Sequence, residues 1–92
     1  MATGTINTLY VKTSTYVNES SLADDSVAQI DVVMPTDTSF VNPILGMIHD
    51  PTQWYGCVVY LRKTGSGYKI FLKNDSGASH NFRGYIDVLW FK

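Results

Sequence analysis

The chain has 92 residues, of which 45% are hydrophobic, 13% aromatic and 16% charged, and its net charge is −1. This length predicts a single domain over residues 1–92, and the near-neutral charge gives no general attraction to nucleic acid. The single cysteine excludes an internal disulfide, and the sequence shows neither a secretory signal nor an apolar stretch long enough to span a membrane.

Six segments rich in β-branched and aromatic residues predict β-strands. In chain order they are Thr5 to Val17, Val27 to Met34, Phe40 to Ile48, Trp54 to Lys63, Tyr68 to Lys73 and His80 to Phe91. The connections are predicted as a loop over Asn18 to Asp25, a turn over Pro35 to Thr38, a loop over His49 to Gln53, a hairpin over Thr64 to Gly67 and a turn over Asn74 to Ser79. One capped helical turn at Ser21 to Asp24 is an alternative to the first loop. Pro43 and Gly46 predict that the third strand is kinked or lies at a sheet edge.

Six or seven short strands joined by turns predict an all-β fold, a small antiparallel β-sandwich or jelly roll. Alternate residues of the last strand, from Phe82 to Trp90, are apolar, which predicts that they face the core. The residues predicted to point inward are Cys57, Ile70, Leu72, Phe82, Ile86, Val88 and Trp90. Cys57 lies in an apolar strand, which predicts a buried thiol without a reactive role.

The second face of the last strand is also partly apolar. It carries Tyr85, Leu89 and Phe91 beside two charged residues, and Phe71 adds a similar surplus in the preceding strand. Because an exposed patch of this composition would favour aggregation of a monomer, the sequence predicts that these outer faces meet in a symmetric homo-oligomer. The predicted interface residues are Phe71, Tyr85, Leu89 and Phe91. The alternative is a bulge or a covering loop within one chain.

The end of the chain, KIFLKNDSGASHNFRGYIDVLWFK, joins a strand to a Ser/Gly/Asn turn and an aromatic final strand. A compact all-β unit that opens with Thr-rich strands and ends in this way resembles the carboxy-terminal head domain of bacteriophage tail-fibre or receptor-binding proteins. The resemblance is best over Gly67 to Lys92. It implies a homotrimer at the tip of a fibre in the virion that recognises cell-surface glycans or teichoic acids. It assigns no binding residues to particular positions of this chain.

The segment from His49 to Tyr55 is the candidate for binding a saccharide. Aromatic rings stack on the C–H faces of sugars, and planar side chains such as Asp and Gln bond pairs of hydroxyl groups. The candidate ligand-binding residues of this segment are His49, Asp50, Gln53, Trp54 and Tyr55. The alternative is that Trp54 and Tyr55 close the end of the core.

Charge is divided unevenly along the chain. The first 54 residues hold one basic and six acidic side chains, whereas the last 38 hold six basic and two acidic ones. One interpretation places acidic and basic strands side by side in a single domain. The other is a basic face for an anionic polymer. In that case Arg62, Lys63 and Lys69, clustered with Lys73, are candidate contacts to an anionic saccharide.

No motif indicates catalysis, a metal site or a cofactor. Ser, His and Asp occur without the spacing of a known nucleophile motif, and a metal site would need His49, Asp50 and His80 to converge. Two glycosylation sequons, at Asn18 and Asn74, are interpreted as turns.

These observations together predict a non-catalytic receptor-binding tip domain of a phage tail fibre. Its partners are predicted to be two further copies of the chain and a cell-surface saccharide, with no nucleic acid and no membrane insertion. A purely structural trimerisation cap or virion decoration domain is one alternative. A bacterial carbohydrate-binding module is another.

Overall fold

Residues 9–92 are described by the computed structural model, and they form six β-strands and no helix. The strands are β1 (Val11–Leu22), β2 (Val27–Asp31), β3 (Asn42–Thr52), β4 (Cys57–Thr64), β5 (Gly67–Asn74) and β6 (His80–Phe91). All pairings are antiparallel and build two three-stranded sheets, one ordered β1–β6–β3 and the other β2–β5–β4. The predicted all-β sandwich is confirmed, without the eight strands of a jelly roll in this described range.

The inner faces of the two sheets pack on each other and form one core. Its buried apolar residues are Val17, Ala28, Val32, Phe40, Ile70, Leu72, Phe82, Ile86, Val88 and Trp90. The predicted inward-pointing residues all lie in this core or against it, with Cys57 half-buried at its margin. Burial raises the pKa of the Cys57 thiol to about 11, so the thiol stays protonated and unreactive at neutral pH.

Strand β6 lies at the centre of its sheet, between β1 and β3. Its register with β1 runs without a shift from the Val11–Trp90 pair to the Glu19–Phe82 pair. The alternation predicted for β6 is therefore confirmed over this stretch, and one face points to the core while the other points outward. Neighbours on both sides explain part of the apolar surplus on the outward face, because cross-strand side chains shield one another.

Strand β1 continues five residues beyond its predicted end at Val17. The prediction of a loop or helical turn after Val17 is wrong for residues 18–22, which continue the strand to Leu22. Strand β1 lies at the edge of its sheet with one face in solvent, so polar residues are tolerated on that face. Near the end of the strand, Ser21 N donates to Asn81 Oδ1 at 2.7 Å. Residues 5–8 of the predicted strand lie outside the described residues.

The connection from β2 to β3 carries the chain from one sheet to the other. Strand β2 ends at Asp31 rather than at Met34, because the backbone makes one more bond to β5 at Val32 and leaves that strand at Val33. Val32 N donates to Tyr68 O at 3.3 Å, and Val33 N donates to Thr15 Oγ1 at 3.2 Å. The crossing thereby closes one end of the sandwich.

Strand β3 runs to Thr52, so the prediction that residues 49–52 form a loop is wrong. Two register shifts interrupt its pairing with β6, one between Leu45 and Ile48 and one before Thr52. At the second shift the backbone of β3 lies close to Gly84. A Cβ added at Gly84 would be only 3.1 Å from Asp50 O. Bulges of this kind re-aim side chains, and periodicity alone does not reveal them.

The predicted turn after β5 is confirmed, and the fully buried Asn74 side chain organises it. Its Nδ2 donates to Leu22 O at 2.8 Å and to Ala78 O at 2.7 Å. Its Oδ1 accepts from Ser76 N at 3.0 Å and from Ser76 Oγ at 2.6 Å. A buried amide engaged in this way cannot carry a glycan, so the sequon at Asn74 is a structural turn.

Candidate functional site

The outward face of the β1–β6–β3 sheet carries a polar cluster centred on Asp87. The cluster is formed by three side chains from the neighbouring strands: Ser14 Oγ donates to Asp87 Oδ1 at 2.7 Å, His49 Nε2 lies 3.0 Å from the same oxygen, and Lys12 Nζ lies 3.8 Å from Oδ2. Asp87 is only 7% exposed. The Ser14 hydrogen bond, with help from His49 and Lys12, lowers the pKa of Asp87 below its ordinary value despite the opposing effect of burial.

This lowered pKa predicts an acid-sensitive contribution to stability. A carboxyl group whose pKa is lower in the folded state stabilises the fold above its unfolded pKa of about 3.9, and that stabilisation is lost as pH falls through the folded pKa. The difference in free energy of unfolding between wild type and Asp87→Asn should therefore shrink between pH 6 and pH 2.5 in urea titrations. Ser14→Ala should reproduce part of the effect. A difference that is constant over this range would contradict the prediction.

Beside the Asp87 cluster, three rings form a row across the same sheet face. Tyr85 lies between Tyr16 and His49, each with its ring centroid 5.2 Å from that of Tyr85, and the His49 ring is nearly parallel to it. The two neighbours cover part of the Tyr85 ring, and Tyr85 remains 38% exposed. Tyr16, on the edge strand, is 54% exposed, so it offers the larger free surface in the row.

The segment predicted to bind a saccharide is divided between two surfaces. His49 ends up on the outward sheet face, against Asp87 and Tyr85. The neighbouring Asp50 is strongly exposed, and its Oδ2 lies 3.7 Å from His49 Nδ1. Gln53 instead accepts a hydrogen bond from Asn81 N at 3.0 Å, which ties the end of β3 to the start of β6.

Trp54 and Tyr55, next in the chain, have different roles. Trp54 is half-buried, its ring lies nearly perpendicular to that of Phe82, and its Nε1 donates to Arg83 O. These contacts favour the interpretation that Trp54 closes the end of the core. Tyr55 is 64% exposed, while its ring is held at 4.7 Å from the His80 ring, almost at a right angle. Tyr55 is therefore an oriented and accessible aromatic platform.

The basic residues predicted to contact an anionic saccharide do not lie beside Tyr55. Arg62 and Lys69 are paired on the outward face of the β2–β5–β4 sheet, whereas Lys63 pairs with Tyr68 and points to the other side of the hairpin. Lys69 Nζ lies 3.8 Å from Asp31, and Lys73 Nζ lies 3.3 Å from Asp25. Acidic and basic segments thus lie side by side, which supports the single-domain interpretation of the uneven charge.

The four predicted interface residues lie on two opposite surfaces. Tyr85, Leu89 and Phe91 are on the outward face of β6, but Phe71 is on the outward face of the other sheet. Phe71 is only 8% exposed, because Tyr60 stacks on its ring at 5.2 Å and the Arg62 guanidinium lies 5.1 Å from its centroid. Phe71 is therefore covered within one chain and needs no partner subunit.

The Asp87 cluster contains Ser, His and Asp, yet its geometry differs from that of a nucleophilic triad. Ser14 Oγ and His49 Nε2 both bond to Asp87 Oδ1, whereas a serine nucleophile needs the histidine on its own hydroxyl. Lowering the pKa of Asp87 also makes it a weaker base.

Within residues 9–92, no group of three or more His, Cys, Asp or Glu side chains is arranged to hold a metal ion.

Sequence reasoning missed the partners of Asp87 and the exposed ring of Tyr16. A charged residue in the middle of a strongly apolar strand is a signal for a paired polar group. Its partners, Lys12 and Ser14 on β1 and His49 on β3, depend on the register of two pairings that are distant in sequence.

Comparisons of the chain with protein-family models, with curated proteins and with solved structures find no match. Within the described residues, no helix is long and apolar enough to cross a membrane.

Proposed function

We propose that this chain is a non-catalytic receptor-binding head domain of a bacteriophage tail fibre, which assembles as a homotrimer in the virion and binds a saccharide of the host surface. The observation that carries the proposal is the exposed and oriented ring of Tyr55. An aromatic surface that is already oriented suits the C–H face of a sugar, because less side-chain freedom is lost on binding. The tail-fibre setting rests on the resemblance of Gly67 to Lys92.

Hydrogen-bonding groups near the ring of Tyr55 support a sugar ligand. Tyr55 Oη lies 3.4 Å from His80 Nδ1, so both groups present polar atoms at one end of the sandwich. A single shallow, solvent-exposed site of this kind binds a sugar weakly, since polar groups must be desolvated on binding. Three copies on one axis would raise the avidity by a factor of about 100 or more when the spacing fits.

The outward face of β1–β6–β3 supports the proposed assembly. It presents the partly exposed side chains of Tyr16, Ile44 and Tyr85 next to Leu89 and Phe91. Three strands about 14 Å wide and about 40 Å long give a face of roughly 600 Å², which approaches the ~800 Å² per partner of a standard interface. The same face favours the second candidate, a structural trimerisation cap or decoration domain without a ligand.

Removal of the exposed ring tests the saccharide proposal. Tyr55→Ala should weaken binding to a panel of cell-wall saccharides by about twofold to tenfold per site, because one stacked ring contributes about 0.5–1.5 kcal/mol. Attachment of a multivalent trimer to isolated bacterial envelopes should fall further. The measurements are glycan-array or pull-down binding together with the solution mass.

Tyr60→Ala is the matched control, since Tyr60 is a partly exposed tyrosine on the outward face of the other sheet. It should leave saccharide binding unchanged. If a Tyr55→Ala protein of unchanged mass binds as well as wild type, the structural-cap candidate replaces the proposal.

A further inference from the structure

A groove of about 380 Å³ lies at the end of the sandwich away from Tyr55. The connection from β2 to β3 forms one wall and the β4–β5 hairpin forms the other. Its lining includes Met34, Pro35, Phe40, Val41, Lys63, Ser66 and Tyr68. The volume falls within the range of about 300–1,000 Å³ that is typical of small-molecule sites.

Hydrogen bonds fix the wall that the connection contributes. Val41 N donates to Phe91 O at 2.9 Å, and Tyr68 Oη donates to Val41 O at 3.3 Å. Asp37 Oδ1 accepts from Ser39 N at 3.0 Å and from Ser39 Oγ at 2.7 Å, which stabilises the turn in the same connection. A groove held in this way exists before a ligand arrives, so binding requires little ordering of the chain.

The floor and sides of the groove are mainly apolar. Phe40 is buried beneath it, and the Tyr68 ring packs edge-on against Trp90. The hydroxyl of Tyr68 is already engaged with Val41 O. Met34 and Pro35 add apolar surface on the side of the connection. The apolar part of a ligand can therefore be buried here without leaving the Tyr68 hydroxyl without a hydrogen-bond partner.

Lys63 at the rim differs from the other basic residues of the chain. Of the seven Lys and Arg side chains, six have a partner within the described structure. Lys12, Lys69 and Lys73 pair with carboxylates, Arg83 donates to an asparagine, and Arg62 and Lys92 lie over aromatic rings. Within residues 9–92, the side chain of Lys63 pairs with no carboxylate, amide or aromatic ring, so its ammonium group is available to an anion.

We infer that this groove binds a small amphiphilic anion, with an apolar chain along Phe40, Val41 and Tyr68 and a carboxylate at Lys63. The apolar body gains from burial, and the carboxylate gains a charge-assisted hydrogen bond at the rim. This site lies at the opposite end of β3 and β4 from Tyr55, and it is independent of the proposed saccharide contact.

Octanoate and its neutral analogue octanamide test the inference by nuclear magnetic resonance titration. Both should give saturable chemical-shift changes at the amides of Val41 and Ser66. Lys63→Gln should weaken octanoate binding by about twofold to fivefold, the size expected of one exposed ion pair, and should leave octanamide binding unchanged. Lys69→Gln, on the outward face and paired with Asp31, is the matched control and should change neither.

Three results would overturn the inference. One is the absence of saturable binding of either compound by wild type. Another is that the largest shifts fall outside the groove. The third is equal binding of octanoate to wild type and Lys63→Gln, which would remove the anionic part of the assignment. Because Lys63 is exposed, the variant should retain the fold, which the unchanged amide spectrum of the core residues verifies.

Discussion

Asn74→Ala is expected to destabilise the fold by about 3–5 kcal/mol. The side chain is fully buried and makes four hydrogen bonds, two as donor to Leu22 O and Ala78 O and two as acceptor from Ser76. Each lost hydrogen bond removes roughly 0.5–1.5 kcal/mol, and a buried group left without a partner raises the penalty. The whole stability of a domain of this size is only about 5–15 kcal/mol.

Urea titrations followed by tryptophan fluorescence measure this effect. The midpoint for Asn74→Ala should fall by about 2–5 M, because a chain of this size has a slope near the lower end of the range for small proteins, roughly 1–1.5 kcal/mol per M in urea, or the variant should be unfolded in buffer. Asn18→Ala is the control, since Asn18 is exposed and accepts one hydrogen bond from Arg83, and it should lower stability by less than about 1 kcal/mol. Equal midpoints for the two variants would refute the structural role of Asn74.

The sequence predicts the architecture well where a pattern repeats along one strand. In β6 the alternation from Phe82 to Trp90 identifies the core face, and the same holds for Ile70 and Leu72 in β5. It is less informative at strand ends. Asn18 to Ser21 is polar, and strand formation there depends on pairing with β6, which is a tertiary contact that overrides local propensity.

The candidate site is less predictable than the fold for a physical reason. The aromatic and polar residues between His49 and Tyr55 are adjacent in sequence, but a bulge and a turn at positive φ send their side chains in different directions. Asp50 has φ 52° and Gln53 has φ 59°, conformations that non-glycine residues seldom adopt. His49 therefore joins Asp87, whereas Tyr55 joins His80. The composition of the sequence identifies such a segment. The surface on which each of its side chains lies depends on the backbone geometry.

Leu89→Asp is expected to convert the proposed trimer into a folded monomer. Leu89 is partly exposed on the outward face of β6, opposite Lys12 and Ile44 in register. In a single chain the new carboxylate would stay hydrated and close to the Lys12 ammonium group, so the fold should survive. In an assembly the same carboxylate would be desolvated, at a penalty of several kcal/mol, and each ~1.4 kcal/mol weakens association tenfold.

Sedimentation or light scattering distinguishes the two states, because one chain has a mass of 10.3 kDa and the proposed trimer three times that mass. Val58→Asp is the matched control, since Val58 is exposed on the outward face of the opposite sheet and should leave the mass unchanged. A folded wild type that sediments as one chain at micromolar concentration would remove the basis for assembly. If Val58→Asp dissociates the assembly and Leu89→Asp does not, the interface instead lies on the sheet that carries Phe71 and Tyr60.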